Sequence, residues 1–341
     1  MAGGAATPGL VTAVCNAGAL GSFGFAYTQP ETMRRDAEAV RSSTNAPFSI
    51  NLFVSPQPGA IDPQAQRGAI DAIAGYHAEM GLPPPEPVKP PYSPDFEAQF
   101  SVIEEVRPPV FTFHLGGLPA GRVRRLQSLG VKVGGSATCV AEARQLEALG
   151  VDFIVAQGAE AGGHRGTYLR DPYDAMTGTF ALVRLIVQAV RTPVVAAGGV
   201  MDGAGIAAAL ALGAQAAQLG TAFIACPESG LPPIYKERIL AAQEDETLIT
   251  EKFSGKPARG LANRYMREMH SRQAPQLAFP AHNSLLGKLR ATAAKAGNPD
   301  FVAMWAGQAV PLARALPAAE LVATLAAETQ EALDRLAALR K

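Results

Sequence analysis

The chain has 341 residues, enough for one large domain or a barrel with an added lobe. Charged residues make up 18% of it and the formal net charge is zero, with no Lys/Arg cluster, which argues against a nucleic-acid partner. No basic run followed by an apolar stretch opens the sequence, and the most apolar segment, 206–219, is interrupted by Gly213 and Gln215 and too short for a bilayer, so neither signal peptide nor membrane span is expected.

Met1-Ala2-Gly3-Gly4 reads as the loop at the end of a strand, yet a helix over about 8–17 follows with no strand before it. A strand over 20–25, a helix over 31–42 and a strand over 48–54 come next. The segment 55–109 breaks the rhythm. It is Pro-rich (Pro83-Pro84-Pro85, Pro90-Pro91) and reads as an insertion holding helices at about 64–80 and 94–106. From residue 110 strands and helices alternate. Strands are predicted over 110–115, 131–134, 153–157, 194–197 and 217–219, and helices over 120–129, 140–149, 178–190 and 203–212. Asp202 stands where an N-cap is needed.

Apolar strands alternating with helices imply a parallel sheet covered on both faces. Seven strands are one short of eight. The expected fold is therefore α/β, a (β/α)8 barrel lacking its first strand in this chain, with a start placed too late as one explanation. Such a barrel would expose two unpaired edges, which predicts poor stability or aggregation. The barrel is assigned to 1–226, a helical lobe over its mouth to 227–308, and the remainder, 309–341, to a C-terminal helix (about 318–339) packing back on the barrel.

Cys15, Cys139 and Cys226 are far apart and form no CxxC pair, so buried thiols in a reducing cytoplasm are the reading, and no His/Asp/Glu set has metal-ligand spacing. Two successive strand ends carry glycines: Ala197-Gly198-Gly199-Val200 and Gln218-Leu219-Gly220-Thr221. Glycine lets several N–H groups approach one anion, so these turns fit a phosphate, although they would also serve simply as tight strand-to-helix turns. The loop after the preceding strand is Gln157-Gly158-Ala159-Glu160-Ala161-Gly162-Gly163-His164-Arg165-Gly166. A histidine in a Gly-rich loop at this end of a barrel makes His164 the catalytic candidate. His114, at the end of the 110–115 strand, would face the same end and either bind a substrate anion or sit satisfied near the core. Asn51 is an amide inside an apolar strand and needs a partner, a ligand edge or nearby backbone. Tyr235 and Lys288 in the lobe would close over a pocket or lie exposed on helices. His77, His270 and His282 read as surface or packing residues. Arg165 would add positive potential or face solvent.

These residues resemble the nitronate monooxygenase family, formerly the 2-nitropropane dioxygenases, of the bacterial class I type. The likeness runs over nearly the whole chain, through Met1-Ala2-Gly3-Gly4, Asn16-Ala17-Gly18-Ala19-Leu20-Gly21-Ser22, Ile50-Asn51-Leu52-Phe53, the Glu160 to Gly166 run, the two glycine turns and Trp305-Ala306-Gly307-Gln308. The Glu-Ala-Gly-Gly-His-Arg-Gly run is the most specific. The resemblance implies a TIM barrel with a helical lobe that binds FMN without a metal. Asn51, Gln157 and Gly162 would contact the flavin, and Gly199, Gln218, Leu219, Gly220 and Thr221 its phosphate end. His164 would stand beside the flavin's reactive edge. The implied reaction oxidises an alkyl nitronate with O2 to a carbonyl compound and nitrite, without a nicotinamide. Small anions such as propionate 3-nitronate would suit a pocket with His114 and His164. This chain departs from the family pattern in lacking the strand before Met1 and in carrying Phe279 and Asn283 where tyrosines are expected. The rival readings are an FMN- and NADH-using enoyl-(acyl carrier protein) or quinone reductase, and a flavin barrel that has lost activity. Oligomeric state is not legible.

Overall fold

The computed structural model describes residues 3–54, 58–272 and 274–339; Met1 and Ala2 of the opening run, the start of the Pro-rich segment at 55–57 and the last two residues of the C-terminal region lie outside them. Seven strands form one parallel sheet: β1 (Gly21–Gly24), β2 (Phe48–Phe53), β3 (Val110–His114), β4 (Lys132–Ala137), β5 (Phe153–Gln157), β7 (Val194–Ala197) and β8 (Ala216–Gln218). Each corresponds to an expected strand. The order β1-β2-β3-β4-β5-β7-β8 leaves β1 and β8 as the two ends of a curled, incompletely closed barrel. Burial follows position: β5 is buried along nearly its whole length, whereas β8 has two of its three residues exposed. The barrel core is filled from both sides of the strands, with Phe23, Ile50, Leu52, Phe111, Phe113, Val133 and Ile154 at its centre.

The remaining strands depart from expectation. β6 (Gly163–His164), β9 (Thr247–Thr250) and β10 (Ala258–Leu261) make a second, antiparallel sheet in the order β6-β10-β9. The lobe is thus mixed rather than purely helical. Two four-residue strands without clear apolar alternation leave no period-2 signal to read. The lobe's core also takes Ala69, Ile73, Tyr76 and Tyr92 from the Pro-rich segment, packed on Phe253, Tyr265, Met266, Leu289 and Phe301.

The helix Ala318–Ala338 lies against the helices Gly203–Ala211 and Pro8–Asn16, burying Leu321 and Leu325. The crossing at Gly203 is close enough that an added methyl would collide with the backbone of Thr329 and the side chain of Glu328. Glu328 meanwhile accepts the Gly203 N–H at 3.0 Å and pairs with Arg314 at 2.7 Å. Gly203→Ala is expected to cost about 1–3 kcal/mol by overpacking, measured as a lowered urea midpoint. An unchanged midpoint would mean that the C-terminal helix is free to shift.

Candidate active site

The ends of three strands meet in register, with Gln157 of β5 beside Ala197 of β7, and Ala197 beside Gln218 of β8. Just past them Gly198 and Gly199 take φ of 110° and 74°, a backbone open to glycine and costly for other residues. Among the described residues, the N–H groups of Gly199 and Thr221 meet no protein acceptor. Asp202 caps the helix behind the first turn by accepting the Gly205 N–H at 2.8 Å. Thr221 is buried and its Oγ1 accepts the Gly307 N–H at 3.0 Å. Gly162 packs so closely on the backbone of Ala306 and Gly307 that a methyl there would lie 2.6 Å from the Ala306 carbonyl carbon. The Trp305-to-Gln308 run therefore seals the side of the site, with the Gln308 N–H donating to the Glu160 carbonyl at 2.9 Å.

His164 is brought to the mouth by an unusual splice. Its loop leaves the barrel after β5, and Gly163 and His164 then pair with Arg259 and Ala258 of the lobe strand β10. Several side chains fix the loop further. The Gln157 amide donates to the His164 carbonyl at 3.0 Å and accepts the Gly166 N–H at 2.7 Å. Arg259 reaches back from the lobe to the Ala159 carbonyl at 2.9 Å. Arg165 is buried and its guanidinium donates to the carbonyls of Ala175, Gln157 and Thr138. It does not face solvent; it ties the loop down, and its charge reaches His114. Glu142, also fully buried, accepts from Thr138 N at 2.6 Å, Thr138 Oγ1 at 2.7 Å, Thr167 Oγ1 at 2.9 Å, Tyr168 N at 2.8 Å and Leu169 N at 3.2 Å. Burial pushes its carboxyl up, but the N–H donors of Tyr168, Thr138 and Leu169 outweigh it and hold the group below the usual carboxylate range.

The His164 ring is walled by aromatic side chains, with centroids 5.8 Å from Phe53, 5.1 Å from Phe279 and 5.7 Å from Trp305. Phe53 in turn touches the rings of His114 at 5.6 Å and Tyr27 at 5.9 Å. The Tyr27 hydroxyl is buried and meets no hydrogen-bond partner among the described residues. His114 lies beside the His164 loop, its Nε2 3.2 Å from the His164 carbonyl. Asn51 donates to Thr112 Oγ1 at 2.8 Å, a partner on the adjacent strand.

Of the two lobe residues, Tyr235 departs from both alternatives and Lys288 takes the exposed one. Tyr235 is buried and its hydroxyl donates to the Trp305 carbonyl at 2.8 Å, so it braces the aromatic wall rather than closing over a pocket. Lys288 is exposed on the helix Gly287–Lys295. Its neighbour Arg290 turns inward instead, donating to the Asn283 carbonyl at 2.7 Å; burial lowers its pKa, and its charge contributes to lowering that of His164. Arg290, Lys256, Ser254 and Tyr27 were not singled out from the sequence. A lysine and an arginine two positions apart on one helix look alike until the helix phase is known. His282 and His77 are buried packing residues, and His270 is exposed. All three cysteines are buried free thiols. A cleft of about 570 Å³, lined by Arg238, Asn263, Arg264, Glu268 and Met304 among others, lies in the lobe and contains none of the expected site residues. Among the described residues no cluster of three or more His, Cys, Asp or Glu is placed to hold a metal, and no helix is long and apolar enough to cross a membrane.

Burial holds the pKa of His164 down at about 3, with the charges of His114, Lys256 and Arg290 adding to the effect. His114 and His282 are each lowered to about 4, again chiefly by burial. All three are neutral in the folded protein near neutral pH. Each has a folded pKa below its ordinary value of 6.5, so on acidification the unfolded chain takes up the protons first. The stability they carry is complete above pH 6.5 and is lost as pH falls towards 4. Each contributes up to about 1.4 kcal/mol per pH unit in that window. The urea midpoint is expected to fall between about pH 6.5 and 4.5, before most carboxylates titrate; a flat profile there would contradict neutral burial.

A neutral imidazole at the mouth of a parallel barrel, beside glycine-lined strand ends, defines an α/β-barrel enzyme. The chain belongs to the nitronate monooxygenase family, whose model matches residues 1–328. It is 42% identical over 336 residues to a nitronate monooxygenase of Paraburkholderia phytofirmans, covering 98% of this chain and 92% of that one. It is 44% identical over 328 residues to that of Pseudomonas aeruginosa, covering 95% and 93%. Among solved structures it resembles nitroalkane oxidase from Streptomyces ansochromogenes with a TM-score of 0.91, 40% identity and coverage of 98% and 95%. FabK from Thermotoga maritima is more distant, with a TM-score of 0.76, 29% identity and coverage of 99% and 94%. The chain is accordingly an oxidoreductase of the barrel class.

Proposed function

We propose that this protein oxidises alkyl nitronates with O2 to the carbonyl compound and nitrite, using FMN held across the ends of β5, β7 and β8. The observation that carries the reading is the position of His164, a buried neutral imidazole locked at the barrel mouth next to in-register, glycine-bearing strand ends. The residues present fit a flavin phosphate. Positive-φ glycines leave the backbone open, N–H groups at Gly199 and Thr221 are free of protein acceptors among the described residues, and a capped helix start stands behind them. Gly199, Gly220 and Thr221 would hold the phosphate end, with Gln218 at the end of β8 and Leu219 just past it leading there. Asn51 and Gly162 would line the ring, while Gln157 shapes its surroundings through the loop.

Bound there, FMN would supply the electron acceptor that the side chains lack. The chain's own residues bind, orient and exclude water. Phe53, Phe279 and Trp305 form an apolar wall that strengthens polar interactions beside it. For a neutral nitroalkane, His164 accepts the α-proton; for a nitronate already ionised, it orients the anion. The cationic side chains of Lys256 and Arg290 favour an anionic substrate, and propionate 3-nitronate is the one to test. Three buried free thiols fit a reducing compartment, and we place the enzyme in the cytoplasm.

The test is to supply FMN-loaded protein with propionate 3-nitronate in air, without a nicotinamide. Nitrite release matched by O2 uptake is expected. NADH oxidation with a quinone or enoyl substrate, and no nitrite, would replace this reading with the reductase one. A protein that retains no flavin and releases no nitrite would be inactive.

A further inference from the structure

Ser254 is fully buried in the turn between β9 and β10, 90 residues from the catalytic loop in sequence. Its Oγ lies 2.9 Å from His164 Nε2, 3.0 Å from the Lys256 carbonyl and 3.4 Å from the Lys256 N–H. A serine hydroxyl has one proton to give and two lone pairs to receive. The Lys256 carbonyl can only accept, so it takes the proton. The Lys256 N–H can only donate, so it uses one lone pair. What remains for His164 is the second lone pair, which requires a proton on Nε2.

We propose that Ser254 is a positioning residue that fixes His164 as the Nε2–H tautomer and leaves Nδ1 as the nitrogen that works on substrate. Nδ1 has no protein partner among the described residues. The ring cannot easily turn Nε2 away from Ser254, because Phe53, Phe279 and Trp305 pack around it. Ser254 is itself held by the turn that begins the lobe strand β10, whose Ala258 pairs with His164. One short segment therefore sets both the place of the imidazole and its protonation pattern. In the reaction proposed above, on which this inference rests, the α-proton of a nitroalkane passes to Nδ1, leaving the nitronate and a transient imidazolium whose Nε2–H still points at Ser254.

The test is a two-bond proton–nitrogen correlation spectrum of FMN-loaded protein with ¹⁵N-labelled histidine, assigned through His164→Asn. His164 is expected as Nε2–H with an unprotonated Nδ1, and the reverse pattern in the wild-type protein would overturn the proposal by itself, whether or not any variant folds. In Ser254→Ala the protonated nitrogen is expected to shift towards Nδ1, and kcat/KM for a neutral nitroalkane to fall about 100-fold, the scale on which a misplaced catalytic group acts. KM should change little, the loss with a pre-ionised nitronate should be smaller, and Ser254→Thr should restore the wild-type tautomer. A folded Ser254→Ala with unchanged tautomer and unchanged nitroalkane turnover would also overturn it. Failure of the proposed reaction would show separately, as absence of nitrite from the wild-type enzyme.

Discussion

Replacing His164 with Asn is expected to lower kcat/KM for neutral nitroalkanes by about 10²–10⁴, the range lost when a general base is removed. The loss with pre-ionised nitronates should be much smaller, since no carbon acid then has to be deprotonated. The asparagine side chain preserves a polar group near Ser254 and the ring of Phe279, so the fold is expected to survive. Steady-state nitrite release and O2 uptake with each member of a nitroalkane/nitronate pair measure the two losses. Equal losses on both substrates would give His164 a binding role and remove it as a base. The folded-state pKa of about 3 is consistent with either task for the free protein, because a buried imidazole far from anions resists charge. A bound nitronate anion alongside it would raise that value and favour the charged imidazole that holds the anion.

Glu142→Ala is expected to be the most damaging change away from the pocket. The carboxylate collects five donors from two stretches of chain, Thr138 and Thr167–Leu169. Its charge also offsets that of buried Arg165. Removing it leaves those donors and that cation without compensation, at a cost of about 3–5 kcal/mol. Urea unfolding measures the loss, and activity should fall with it because the Thr167–Leu169 stretch directly continues the His164 loop. Glu142→Gln should recover part of the stability, keeping hydrogen bonds but losing the charge. A cost below about 1 kcal/mol for the alanine variant would mean that water replaces the carboxylate.

The barrel was legible because its signals are local. The runs that became β2, β3, β5 and β7 are apolar and bounded by turns, and the helix before β5 ends at Gly150, which adopts the left-handed conformation. The candidate site was legible only in part. His164, Gly199 and Gly220 advertise themselves through glycine-rich context. Ser254 does not, since nothing around it in sequence reveals an imidazole 90 residues away. In sequence Arg165 offers positive potential or a solvent-facing charge, and its burial becomes tolerable through the carbonyls of Gln157 and Ala175 turned towards it and the nearby charge of Glu142. Lys288 and Arg290 differ by helix phase: two residues rotate a side chain by about 200°, enough to exchange solvent for interior. The strands β9 and β10 acquire their identity from pairing with each other and with β6, a long-range arrangement invisible in four-residue windows.

The splice of Gly163 and His164 into the lobe's sheet makes the imidazole a member of two structural units. Its loop starts on the barrel strand β5, yet its own backbone is paired with Ala258 of β10. A group held by a single strand end would depend on the barrel alone. Here any change that frays β10 displaces His164 as well, so the integrity of the lobe sets the position of the imidazole.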